Sequence, residues 1–223
     1  MSSTPERFAW RDDRGKTGEV SGARHAPSGG RSATLIWAHG AGGTMDHPHV
    51  VGVAEILAAK GVEVVRFNFP YSEEGRKAPD KADRLEACWR AVAEAVGAGA
   101  ERLYLGGGSM GGRIASQIVA AGSPAAGLAF QSYPLHPPGK PERIRDEHLY
   151  RIKVPMLFVS GTKDEFASGD LLDVVVAKLP SATLHRIEDA NHGMRVRGRT
   201  QSDVLGEIAD TIHAWITVQL GSN

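Results

Sequence analysis

RLYLGGGSMGG, residues 102–112, decides how this chain is read. A short run of strand-forming residues (102–106) gives way to glycines around one serine, and an apolar segment of helical period (110–121) follows. Strand, sharp turn and helix form the context that G-x-S-x-G needs if the serine hydroxyl is to stand clear of the backbone. Gly107 and Gly111 flank Ser109 where a closely approaching strand and helix would leave no room for a Cβ. A helix starting behind the serine also turns its free N–H groups toward negative charge developing there. A serine that merely caps a helix would fit the same five residues. A dinucleotide loop fits less well. Gly106, Gly108 and Gly111 satisfy G-x-G-x-x-G, but the acid that fingerprint expects ~20 positions later is missing around 127–132.

Working outward, apolar runs at 33–38, 62–67, 126–131, 154–160 and 182–187 repeat the strand signature. Segments 48–60, 80–97, 169–178 and 201–219 read as helices; in the last, Val204, Ile208, Ile212, Trp215 and Ile216 fall on one face. The alternation predicts an α/β protein with a mainly parallel sheet and helices on both faces. Phe8–Trp10 and Gly18–His25 predict an antiparallel hairpin at one sheet edge, with a turn at 26–32. The 223 residues, without internal repeats, predict a single domain spanning 1–223. The Pro-rich segment between 131 and 154 is too short for a large lid domain, which predicts an open site.

Composition narrows the partners. Lys plus Arg balances Asp plus Glu at 26 each, so no global field draws nucleic acid or an anionic membrane. The basic cluster Arg195, Arg197 and Arg199 reads as a solvated loop, since no aromatic residue is interleaved with it. A single cysteine, Cys88, excludes an intrachain disulfide. The first residues carry no apolar run, and no stretch reaches the ~18 apolar residues of a membrane span, so a cytoplasmic location is expected.

A serine hydroxyl at neutral pH needs a base to take its proton, and in this context the chain order is Ser, acid, His. Asp164 follows the strand at 154–160, and His192 follows the strand at 182–187 within EDANHG. Both fall on loops at strand carboxyl ends, where open α/β sheets bind ligands. Ser109, Asp164 and His192 are therefore the expected catalytic set. Glu165 is the next-best acid, Asp189 shapes the turn, and Gly193 gives the backbone beside His192 room to turn. The strand at 33–38 runs into His39-Gly40-Ala41-Gly42-Gly43, a loop of the kind that supplies an oxyanion donor. Ala41 and Met110 are the expected backbone donors, with Gly42 as substitute for Ala41, and His39 as loop organiser. Tyr71, Arg76, Tyr133 and His136 lie on loops at the same sheet edge and could line the pocket, with Tyr71 and Tyr133 the expected substrate-binding residues and ordinary loop structure the alternative for each. Asp46, His47 and His49 share a metal-binding composition, but no further ligand is spaced to complete a set, so no metal is expected.

On these residues the chain resembles the α/β-hydrolase superfamily, and within it the dienelactone-hydrolase-like proteins. More narrowly it is similar to small bacterial hydrolases related to human testis-expressed protein 30 and to the third subunit of the NSL histone-acetyltransferase complex. The matching segments are WAHGAGG (37–43), RFNFPY (66–71), GGSMGGR (107–113), YPLHPPGKPERIRDEHL (133–149), FVSGTKDEF (158–166) and ANHG (190–193). The resemblance implies the same triad, no metal and no organic cofactor. Dienelactone hydrolases proper carry a cysteine nucleophile where Ser109 stands, so lactone specificity is not implied. The expected function is a serine hydrolase acting on small or flexible acyl esters. A thioesterase, peptidase or perhydrolase would use the same triad, and an interaction module that keeps the fold without catalysis is the alternative of another class.

Overall fold

The computed structural model describes residues 3–221. In chain order they form β1 (Thr4–Arg11), β2 (Thr17–His25), β3 (Ala33–Ala38), α1 (Pro48–Ala59), β4 (Val62–Phe67), α2 (Pro70–Glu73), α3 (Ala82–Gly97), β5 (Leu103–Gly108), α4 (Met110–Ala120), β6 (Gly127–Gln131), a 3-10 turn (Leu149–Arg151), β7 (Met156–Lys163), α5 (Gly169–Val176), β8 (Ala182–Asn191) and α6 (Gln201–Gly221). The strands make one sheet in the order β1-β2-β4-β3-β5-β6-β7-β8. The hairpin β1–β2 joins β4 antiparallel, and all later neighbours pair parallel.

Every residue of β3, β4 and β6 is buried, as largely apolar strands covered on both faces require, and Glu63 and Arg66 of β4 are buried with them. One face packs Ile36, Val65, Leu105 and Phe130 against α3, α4 and α5. The other packs Leu35, Trp37, Val64 and Tyr104 against α1 and α6, with the predicted stripe Val204, Ile208, Ile212, Trp215 and Ile216 turned inward. In β1 only Phe8 and Trp10 are buried, the alternation of a half-covered edge strand.

The strand order places the site. From β3 the chain moves outward to β4, then returns across β3 to β5 and continues the other way. The loops after β3 and β5 therefore diverge at a crevice above the strand ends, where such sheets hold ligands. Two strands run further than their apolar sequence suggests. β7 extends to Lys163 and β8 to Asn191, with a register irregularity between Gly161 and Lys163. The β8 extension contributes exposed residues at 188, 189 and 191, so hydropathy does not mark it. Periodicity also misses α2 and the 3-10 turn, which are too short to show a period. The segment between β6 and β7 carries no helix beyond that turn, and Tyr133, Leu135 and Leu149 anchor it in the core.

Candidate active site

Ser109 stands between β5 and α4 with φ +49° and ψ −117°, a backbone conformation that L-residues adopt only under constraint. The constraint is visible on both sides. A Cβ on Gly107, itself at φ +150°, would lie 2.3 Å from the Ala38 carbonyl oxygen, and one on Gly111 would lie 2.7 Å from those of Ala38 and His39. The two glycines are thus required where the sequence placed them, and β3, β5 and α4 pack backbone to backbone beneath the serine.

The side chains of Ser109, His192 and Asp164 form one hydrogen-bonded line. Ser109 Oγ lies 2.9 Å from His192 Nε2, and His192 Nδ1 lies 2.8 Å from Asp164 Oδ1. A carboxylate accepts, so Nδ1 carries the proton and Nε2 offers its lone pair to the serine hydroxyl. The Phe166 N–H also donates to Asp164 Oδ1 at 2.9 Å, which fixes the carboxylate from behind. Asp164 is 2% exposed. Glu165 has a different place: its side chain accepts from the His192 backbone N–H at 3.2 Å.

Three residues that steady His192 escaped the sequence reading. The Phe166 ring packs on the imidazole with centroids 4.1 Å apart. The Ser132 hydroxyl donates to the His192 carbonyl at 2.8 Å, from a left-handed backbone with φ +51°. Met194, at φ +53°, takes the turn after His192 that Gly193 was expected to take. The only sequence signal for Ser132 and Phe166 was position, just beyond β6 and β7.

The loop after β3 faces the elbow, so close that a Cβ on Gly40 would lie 3.4 Å from Ser109 Cβ. Its peptides are held by the segment that follows β4. Phe69 N–H donates to His39 Nε2 at 3.2 Å, which leaves the His39 proton on Nδ1 to bond the Gly40 carbonyl at 2.8 Å. The Tyr71 hydroxyl donates to that same carbonyl at 3.3 Å and accepts from Gly42 N–H at 3.2 Å. Ser72 Oγ donates to the Gly43 carbonyl, and Met45 N–H to Asn68 Oδ1. Burial pushes the His39 imidazole down to about 4, with His47 adding to the effect, and pushes the Tyr71 phenol up to about 12. Both groups are neutral at physiological pH. Among the described residues the amides of Ala41 and Met110 have no hydrogen-bond partner, whereas Gly42, the substitute donor, is engaged.

A cavity of about 440 Å³ opens above Ser109 and His192. The loop 39–43 lines it together with Trp37, His47, His49, Gln131, Asn191 and Arg195. Arg195, read from sequence as part of a solvated loop, is thus also at the cavity wall. Tyr71 and Tyr133 do not line it. Tyr71 is 0% and Tyr133 1% exposed, because both rings turn into the apolar core beneath the sheet edge. The Tyr133 hydroxyl is used instead by Ser116 and His148, at 3.3 and 3.1 Å. Arg76 is drawn into ion pairs with Glu74 and Asp80, and His136 is buried. Asp46 pairs with Arg66. Among the described residues no group of three His, Cys, Asp or Glu side chains is placed to hold a metal ion, and no helix is long and apolar enough to cross a membrane.

Residues 31–217 match the family model described as the alpha/beta hydrolase domain. The chain belongs to this family. Solved structures share its fold over nearly the whole length. Est1E from Butyrivibrio proteoclasticus superimposes with a TM-score of 0.75 at 15% identity, covering 97% of this chain and 99% of that one. XC6422 from Xanthomonas campestris, described as a serine hydrolase without lid, gives 0.70 at 22% identity, with 96% of each chain covered. A dienelactone hydrolase from Anabaena variabilis gives 0.70 at 18% identity, covering 98% and 99%. At these identities the likeness establishes the architecture, an alpha/beta hydrolase fold.

Proposed function

We propose that this protein is a serine hydrolase that cleaves carboxylic esters of small or flexible acyl groups through an acyl-enzyme. The observation that carries the reading is the hydrogen-bonded line from Ser109 through His192 to Asp164 at the floor of an open cavity. In this reading His192 Nε2 takes the hydroxyl proton as Ser109 Oγ attacks the ester carbonyl carbon. Charge on the carbonyl oxygen is met by the N–H groups of Ala41 and Met110. The tetrahedral adduct collapses, His192 returns the proton to the leaving alkoxide, and the alcohol departs. A water then gives a proton to His192 and its oxygen to the acyl carbon, which releases the acid and restores the Ser109 hydroxyl. Asp164 holds the imidazole in the required tautomer and balances its charge when it is protonated.

The esterase assignment draws support from the relatives titled as an esterase and as a serine hydrolase without lid. The narrower kinship with hydrolases related to testis-expressed protein 30 and the third NSL subunit is part of the same proposal, and rests on the segment 133–149. A fluorophosphonate probe should label the wild-type protein and leave Ser109→Ala unlabelled. A series of p-nitrophenyl esters should show the highest kcat/KM for short acyl chains. A folded protein that neither takes the probe nor turns over any ester would overturn the reading in favour of an interaction module.

A further inference from the structure

The geometry points to Tyr71 as a positioning residue: its hydroxyl selects the Ala41 amide, rather than the neighbouring Gly42 amide, as the loop's donor to the oxyanion. The inference rests on the hydrolase reading above and deepens it.

In a trans peptide the C=O and the following N–H point in opposite directions. Whatever fixes the Gly40 carbonyl therefore fixes the Ala41 N–H. Three donors converge on that carbonyl: His39 Nδ1 at 2.8 Å, Gly43 N–H at 3.2 Å and the Tyr71 hydroxyl at 3.3 Å. Gly43 N–H belongs to the loop itself, and His39, the residue before Gly40, is anchored in turn by Phe69 N–H at its Nε2. Tyr71 comes from α2, a separate element, and its ring is fully buried between His39 and Phe69. The same hydroxyl accepts from Gly42 N–H, so one atom orients the Ala41 amide and occupies the competing one.

A hydroxyl has one proton and two acceptor lone pairs, so it can serve a carbonyl and an amide together; a methyl, a phenyl edge or a cation cannot. Burial keeps the phenol protonated, with its pKa near 12, so the arrangement persists throughout the working pH range. Neighbouring Ser72 and Asn68 grip the loop further along, at Gly43 and Met45, and hold its outer half without touching the Gly40–Ala41 peptide. Removal of the Tyr71 hydroxyl thus leaves the loop docked, takes one of three anchors from the Gly40–Ala41 peptide and frees the Gly42 amide to compete for the oxyanion.

The test is Tyr71→Phe, which removes one oxygen and keeps the ring. With p-nitrophenyl butyrate, kcat should fall about 10- to 100-fold, less than the 10²–10³-fold loss of a whole oxyanion donor, while KM stays within twofold. The inhibition constant of a boronic acid that forms a tetrahedral adduct on Ser109 should rise by the same factor. An unchanged kcat, a loss confined to KM, or a lower kcat with unaltered boronate affinity would each reject the role. Should the variant fold poorly, amide NMR of the wild type answers the question alone. On boronate binding the Ala41 amide proton should shift and that of Gly42 should not, and the reverse pattern rejects the inference. The two layers fail separately. A wild type inert to esters and to fluorophosphonate removes the hydrolase reading itself. A wild type that is active and labelled, beside a Tyr71→Phe variant of equal kcat, removes only the assignment of Tyr71.

Discussion

Tyr71 with His39 on one side of the elbow, and Tyr133 with His148 on the other, are built from the same chemistry. In each pair burial pushes the phenol up to about 12 and the imidazole down to about 4. In each, the tyrosine hydroxyl bridges two partners. What differs is the partner. Tyr71 and His39 spend their hydrogen bonds on backbone groups, those of the loop facing Ser109 and, at His39 Nε2, that of Phe69. Tyr133 and His148 spend theirs on Ser116 of α4 and on each other, and so tie the segment after β6 to that helix. In the proposed hydrolase the same pair of side chains tunes a reacting centre in one place and fastens a strap in the other, because only backbone amides near Ser109 would meet developing charge.

Experiments that break the comparison fall in a descending series. Ser109→Ala sets the scale: hydrolysis should drop about 10⁴-fold or more, and adding His192→Ala should lower it little further, as measured by kcat/KM of single and double variants. Next comes acid sensitivity. Each of the two imidazoles, that of His39 and that of His148, has a folded pKa of about 4, against 6.5 for the free group. As pH falls through that window the unfolded chain takes up a proton that the folded one refuses, so stability present above pH 6.5 is lost toward pH 4. The loss is up to about 3 kcal/mol for His39, and less for the partly exposed His148. Thermal melts across this range should show it, and His148→Gln should flatten the slope without changing kcat at pH 7.

Tyr133→Phe should separate the two pairs. It removes one oxygen from a cluster in which Ser116 and His148 still bond each other at 2.8 Å, so urea unfolding should report a loss of about 0.5–1.5 kcal/mol, while kcat stays within twofold. Equal losses of rate in Tyr133→Phe and Tyr71→Phe would erase the distinction. The smallest effect is expected at Phe166, whose ring packs on His192. Phe166→Leu removes an aromatic contact worth about 0.5–1.5 kcal/mol, and should slow turnover roughly two- to tenfold, read from steady-state kcat.

The candidate site was legible where chemistry coincides with strand ends. Ser109, Asp164 and His192 each follow a hydrophobic run directly, so strand order and residue type suffice to group them. The tyrosines were misread for a physical reason. Sequence puts Tyr71 just past β4, beside the site, but Pro70 begins a helical turn there that carries the ring down into the core. Tyr133 is turned inward in the same way, against Phe130 and Phe158. Position along the chain gives neighbourhood; it does not give the direction of a side chain. Phe166 and Ser132 were passed over because contact with His192 depends on how the loops after β6 and β7 lie against the loop after β8.

Local sterics and hydrophobic period write into neighbouring residues the alternation of strands and helices, the elbow that needs glycine at 107 and 111, and the order of hydroxyl, carboxylate and imidazole along the chain, so all three were legible before any folding was considered. Whether the Ala41 or the Gly42 amide of the glycine-rich loop stays unengaged depends on long-range packing. That choice is a competition for hydrogen bonds between Gly42 and a hydroxyl 29 residues away, and no local pattern records its outcome.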